Sequence, residues 1–261
     1  MAKGKNQKIS KKGKAAKKNE KHPFTRKEWF KIVSPPGLET TNIVGFTPIN
    51  KTQGTKKAEV EIKGRVAEIT HADLTTDHKD LKKLLEKKIK ILIEETANDR
   101  CLTSFYEFEL AKEKIYSLLK KRQTVFELFC DVKTKDGQIL RVFVIAITTR
   151  AKNQLKVNSY IKASLVKVLR KKMIEKLTEL AKNLNSTEFA TKVLKEEVNA
   201  ELQKHTEKLK RNMIVMVKKV KVLKKGKVDT KKLIEESKVK EVVAKALDKN
   251  VPADEKNQLE A

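Results

Sequence analysis

Apolar residues recur along this chain with two different periods, and the change between them divides it. From about residue 42 to 150 the period is two. Within 59–70 (EVEIKGRVAEIT), Val60, Ile62 and Val66 alternate with polar neighbours. The pattern then slips to Ile69, which predicts one strand with a bulge at Gly64. Ile89, Ile91 and Ile93 share one face of a second strand over 87–96, and a turn at Asn98-Asp99 leads to a third over 102–110. The strongest signal lies at 124–149, where two runs rich in β-branched and aromatic residues flank Lys135-Asp136-Gly137. Asp-Gly supplies a positive-φ turn, so the segment reads as a hairpin.

After residue 158 the period lengthens. Ile161, Leu165, Leu169, Met173, Leu177, Leu180 and Leu184 recur every three or four positions, which predicts an amphipathic helix. Its polar face carries Lys162, Lys167, Arg170, Lys171 and Lys176. Asn185 followed by Glu188 has the spacing of a capping box and opens a second helix running to about 207. Strand character returns over 212–223. Simple alternation sets Val217, Lys219, Lys221 and Leu223 on one face, against Val220 and Val222 on the other. Two short helices are expected at about 229–247.

Together these elements predict an α+β fold with a central antiparallel, barrel-like β-sheet flanked by helices. Three regions follow. Residues 1–22 read as a basic disordered arm. Residues 23–235 form a body that is β-rich over 42–150, helical over 159–208 and a strand over 212–224. Residues 236–261 are a helical or disordered extension ending in a short polar tail. Order begins near Pro23-Phe24, Trp29, Phe30, Ile32 and Val33 dock on the core, and Pro35-Pro36-Gly37 breaks the chain.

Charge changes the picture most. The 261 residues carry 61 Lys+Arg against 34 Asp+Glu, a net +27. Self-repulsion of that size persists only where a polyanion offsets it. Eleven of the first 27 residues are basic and only Glu20 is acidic. Eight arginines against 53 lysines favour phosphate contact over bidentate base reading. Aromatics at 5% advertise no platform for stacking single-stranded bases.

Catalytic motifs are missing from the sequence: it has no phosphate loop ending in Lys-Ser/Thr, no GxSxG and no HExxH. His71, Asp73, Asp77 and His78 have the composition of a cation site, but the same residues make an ordinary polar loop with a helix cap. Cys101 and Cys130 are far apart and read as two buried thiols rather than a metal site or disulfide. No cofactor or metal is called for. No apolar run reaches the roughly 18 residues of a membrane span, and the first residues lack the apolar core of a signal peptide. The chain therefore reads as intracellular.

The basic segments carry the expected chemistry. Lys11, Lys12, Lys17 and Lys18 in the arm, with Arg26 and Lys27 behind them, suit crowded phosphates. Thr52, Lys56 and Lys57 surround Gly54 in a loop where backbone amides can approach a phosphate. Arg150, Lys152 and Asn153 follow the hairpin in a loop equipped for phosphates and 2′-hydroxyls. Arg170, Lys171 and Lys172 lie on the long helix. Lys219, Lys221, Lys224 and Lys225 form a row that either tracks a phosphate backbone or protects a sheet edge.

Several strings together resemble the eukaryotic and archaeal small-subunit ribosomal protein family eS-one, also called S-three-Ae. They include Trp29-Phe30, Thr52-Gln53-Gly54-Thr55-Lys56, Lys63-Gly64-Arg65-Val66, Cys101-Leu102-Thr103, Asp131-Val132-Lys133-Thr134 and Arg170-Lys171-Lys172-Met173. A last block from Val217 to Lys225 fits the family's Val-x-Lys-Val-Lys-x-Leu-Lys pattern. The resemblance runs from about 25 to 235 and weakens at 185–208 and beyond 240. It implies a non-catalytic constituent of the 40S subunit on the platform, near the mRNA exit and the 3′ end of the small-subunit rRNA. Lys63, Arg65 and Arg141 join the expected RNA anchors. Implied partners are the rRNA, neighbouring platform proteins, the multi-subunit initiation factor and mRNA near the exit, with no membrane and no homo-oligomer. The implied location is the cytoplasmic ribosome, with passage through the nucleolus during assembly. A free basic RNA-binding or ribosome-biogenesis factor would share the charge and is the alternative.

Overall fold

Strict alternation, exposed then buried, along Val125–Lys133 makes this the most regular strand of the molecule. It pairs with Ile139–Thr148 in a hairpin whose loop turns at Gly137, with φ +75°. A computed structural model describes residues 22–38, 43–75, 80–97 and 99–226. Its strands are β1 (Lys27–Val33), β2 (Ile43–Asn50), β3 (Val66–Thr70), β4 (Lys87–Ala97), β5 (Arg100–Leu110), β6 (Val125–Lys133), β7 (Ile139–Thr148) and β8 (Met213–Lys224). The helices are α1 (Ala58–Glu61), α2 (Leu81–Leu85), α3 (Lys112–Leu118), α4 (Ala163–Lys182), α5 (Ser186–Leu194) and α6 (Glu197–Glu207).

All eight strands join one sheet that branches at β5. On one side β5 pairs with β4, which pairs in turn with β3. On its other side the beginning of β5 meets β1 and its end meets β8, followed by β7 and β6. The expectation of an antiparallel, barrel-like sheet is corrected in two respects. The β1–β5 pairing is parallel, so the sheet is mixed. Among the described residues no pairing joins β6 back to β2 or β3, so the sheet is not closed.

Three further expectations change, each for a local reason. Residues 59–70 are not one strand. Ala58 and Ile62, four apart, both face inward while Val60 lies exposed, so the first half winds into α1. Gly64, at φ +83°, then redirects the chain into β3. The helix expected from 186 to 207 is two helices, because Glu196 adopts φ +63° and ends the first. In β8 the inward set is Met213, Val215, Val217, Val220 and Val222. The register skips at Lys218, so Val217 shares a face with Val220 and Val222 rather than opposing them. The helices expected at 229–247 lie outside the described residues.

The main core lies between the inner face of the sheet and α4, α5 and α6. Val166, Leu169, Met173, Leu177 and Ala181 form the buried stripe of α4, each large side chain contributing about 1.5–3 kcal/mol. The predicted capping box at Asn185 and Glu188 is present. Asp136, from the β6–β7 loop, also accepts a hydrogen bond from the Ser186 backbone N–H at 2.9 Å, tying the hairpin tip to the start of α5. A second, smaller core of Phe30, Ile49, Ala58, Ile62, Ile93 and Cys101 sits under the β1–β2 hairpin. Both cysteines are free and buried, and burial pushes each thiol up to about 11. No helix among the described residues is long and apolar enough to cross a membrane.

Candidate nucleic-acid interface

Pairing β4, β5, β8, β7 and β6 side by side sets their polar residues in cross-strand rows. One row reads Glu68, Lys90, Glu107, Lys221, Arg141, Asp131 from β3 to β6. Most of these charges are matched. Lys90 lies 3.4 Å from Glu107 and 3.7 Å from Glu109. Lys219 pairs with Glu107 and, at 3.4 Å, with Glu109. Burial pulls the Lys219 amine down, but the hydrogen bonds and charges of Glu107 and Glu109 outweigh it and hold it above an ordinary lysine. Arg141 grips Asp131 with two bonds of 2.6 and 2.8 Å, and its guanidinium lies 5.6 Å from the Phe129 ring centre. Those bonds hold the Asp131 carboxyl below the usual carboxylate range. Lys218 reaches Glu127 at 3.0 Å, and Lys225 pairs with Glu94.

The sheet face is therefore an ion-pair lattice, and Lys219, Arg141 and Lys225 are committed to protein partners. Lys224 is exposed at the end of β8. The lysine row read from the sequence is half structural. Its partner carboxylates, Glu107 and Glu109 on β5 and Glu94 on β4, lie too far along the chain for spacing to reveal.

The loops differ. Lys51 to Lys57 are all exposed, and a bridge between Gln53 and Lys56 closes a tight turn with Gly54 at φ +57°. Thr52 is already engaged: its Oγ accepts from the N–H of Ala58, the first residue of α1, at 3.2 Å. Lys56 and Lys57 find no carboxylate among the described residues. Arg26 and Lys27 stand beside this loop, because β1 begins where β2 ends; Lys27 Nζ donates to Asn50 at 2.6 Å. Lys63 lies 3.6 Å from Glu95, and Arg65 spans to Thr47 Oγ at 3.0 Å and the Pro48 carbonyl at 2.9 Å. The fold thus gathers Arg26, Lys27, Thr52, Lys56 and Lys57 near one end of the β1–β2 hairpin, with Arg65 held along β2 and Lys63 held to Glu95 on β4.

A second basic loop follows β7. Its organiser is Gln154, whose amide donates to the carbonyls of Lys156 at 2.7 Å and Asn158 at 3.0 Å. Arg150 donates twice to the Gln154 carbonyl, at 3.0 and 2.7 Å. These bonds stiffen a loop that displays Lys152, Asn153, Leu155 and Lys156 to solvent. Gln154 therefore serves inside the loop, leaving its neighbours to face solvent. On α4, Arg170 donates to the Glu127 carbonyl at 3.2 Å, whereas Lys171 points out and Lys172 is half-buried. No hydrogen bond or ion pair among the described residues ties the 150–158 loop or α4 to the hairpin cluster. Lys11, Lys12, Lys17 and Lys18 lie outside the described residues, as do Asp77 and His78. No metal-binding cluster occurs among the described residues.

The model of the Ribosomal S3Ae family matches residues 15–226. The chain belongs to that family. The small ribosomal subunit protein eS1 of Theileria parva is 39% identical over 235 residues, covering 90% of this chain and 88% of the relative. Its counterpart in Theileria annulata matches at the same identity and coverage. That of Babesia bovis is 38% identical over 235 residues, covering 90% and 87%. The family match takes in every strand of the sheet, both basic loops and the 185–208 interval where the resemblance had weakened.

Proposed function

We propose that the chain is a structural constituent of the small (40S) ribosomal subunit that binds small-subunit rRNA and supports assembly and translation. The observation that carries this reading is the family match over 15–226, with relatives named as small ribosomal subunit proteins across nearly their whole length. The charge distribution supports it. Lys90, Arg141, Lys218 and Lys219 on the sheet are matched by carboxylates, whereas the lysines of the 51–57 and 150–158 loops face solvent and suit phosphates. Lys56, Lys57, Lys152, Lys171 and Lys224 are the body's phosphate contacts in this reading, with Asn153 donating to a phosphate or 2′-hydroxyl. Arg141, Lys219 and Lys225 hold the sheet together. The arm, with Lys11, Lys12, Lys17 and Lys18, threads between rRNA helices. The protein sits on the platform near the mRNA exit, beside other platform proteins and the surface used by the multi-subunit initiation factor. It has no catalytic role, works in the cytoplasm and joins the subunit during nucleolar assembly.

Sedimentation of cell extract in a low-salt gradient tests this. The protein travels with small subunits and leaves them only as salt rises, because each phosphate contact steepens the salt dependence. Recovery wholly in the free-protein fractions would overturn the reading.

A further inference from the structure

The β1–β2 hairpin has an outer face unlike the rest of the sheet. Register places Lys27 opposite Asn50, Trp29 opposite Pro48 and Lys31 opposite Phe46. Trp29 is 53% and Phe46 59% exposed, and as diagonal neighbours they lie roughly 7–8 Å apart. Lys31 is exposed between them. This face carries no carboxylate: Glu28 alternates to the opposite side with Phe30 and Ile49. β2 is also an edge of the sheet, so nothing in the strand order shields it.

Two rings left in water beside unmatched cations suit a ligand with flat apolar faces and negative charge between them. We propose that this face is a stacking platform for two unpaired RNA bases, with Trp29 and Phe46 beneath the bases and Lys27 and Lys31 at their phosphates. The spacing of two diagonal strand positions exceeds the roughly 3.4 Å step of a stacked strand, so the face fits adjacent bases splayed apart rather than a duplex end. Another exposed ring, Phe129, shows the contrast. It is 62% exposed, but the cation lying against it, Arg141, is held by Asp131, and Glu127 beside it is held by Lys218, so no unmatched cation remains there for a phosphate. The overall scarcity of aromatics concealed the platform, because it needs only two rings in register. The proposal rests on the reading that the protein meets RNA, and adds which RNA feature this face takes.

Trp29 is the only tryptophan, so its emission reports directly on the site. The full chain is titrated with an unstructured single-stranded RNA of about 12 nucleotides, with inorganic polyphosphate and with an RNA duplex. Single-stranded RNA is expected to quench Trp29, whereas polyphosphate binds without quenching. At salt high enough to release polyphosphate, Phe46→Ala is expected to weaken single-strand binding about tenfold, and Trp29→Phe to retain most of the affinity. Both rings are more than half exposed, so unchanged melting shows that the variants fold. Single-strand binding with no quenching, or with wild-type affinity for Phe46→Ala, overturns the proposal. So do crosslinks from Lys31 in isolated small subunits that reach protein only, which would make the face an inter-protein contact. Each of those outcomes leaves co-sedimentation with the subunit intact, whereas failure of the ribosomal reading removes it.

Discussion

Glu107 is 3% exposed between two lysine amines, and its carboxylate is the hinge of the charge lattice. Replacing it by glutamine keeps its shape but leaves Lys90 and Lys219 facing an amide. Both lysines remain about a quarter exposed, so water relieves part of the loss. Glu107→Gln is therefore expected to cost about 2–3 kcal/mol at neutral pH, below the usual figure for a fully buried pair. The pH dependence identifies the cause. Lys219 titrates above the ordinary lysine value of 10.5, so its contribution is complete below about pH 10.5 and fades as pH rises through its folded value. Urea unfolding at pH 7 and pH 11 checks this: the gap between wild type and variant narrows at the higher pH, and a constant gap would assign the loss to packing instead. From sequence, Glu107 and Glu109 are simply the polar side of a strand. Their partners come from β4 and β8, and register between separate strands is not written in local spacing.

Elements were legible where one period holds from end to end, and misread where a single residue resets it. The β6–β7 hairpin followed from spacing alone, as did the centre of the α4 stripe at Leu169, Met173 and Leu177, while Val166 and Ala181 are buried more fully than the expected Leu165 and Leu180. β8 did not, because the bulge at Lys218 reverses its phase, and that bulge is supported from outside the strand. The Asn199 side chain of α6 accepts the Val217 N–H at 2.8 Å, satisfying a donor that the interrupted ladder leaves over. Asn199→Ala should cost about 1–3 kcal/mol, the penalty of an unsatisfied half-buried amide, with faster hydrogen exchange at Val217. Wild-type stability in that variant would mean that water replaces the side chain. The 150–158 loop is held by one side chain in the same way. Gln154→Ala removes its two amide donations and the acceptor facing the Ala151 N–H at 3.4 Å. Trypsin should then cut at Lys152 and Lys156 several-fold faster while melting moves little, because the loop lies outside the core.

Across the whole molecule, the excess of +27 is concentrated away from the sheet. Cross-strand acids match the lysines of β4 and β8, so the body folds without a large repulsive term on its main face. Among the described residues the unmatched cations lie mainly in the 51–57 and 150–158 loops, on α4, at the end of β8 and on the outer face of the β1–β2 hairpin, where they add to binding more than they subtract from stability. That division was partly visible beforehand, because the arm's composition needs no structure to be read. The loops' share emerged only once the carboxylates of β5 were seen to claim Lys90 and Lys219. Removing residues 2–22 deletes nine lysines and one acid. The truncated protein should keep its circular dichroism and melting temperature, since none of the described core comes from that segment. Its affinity for the rRNA should fall, and the slope of log affinity against log salt should flatten by about 4 to 8 if half to all of those lysines meet phosphates. An unchanged slope would show that the arm binds protein rather than RNA. A lost fold would show that the first residues belong to the body. With both slope and fold as predicted, the remaining slope measures the phosphates held by the 51–57 and 150–158 loops, and substituting Lys56, Lys57 and Lys152 together by alanine should lower it by a further 2 to 3, about one per phosphate released.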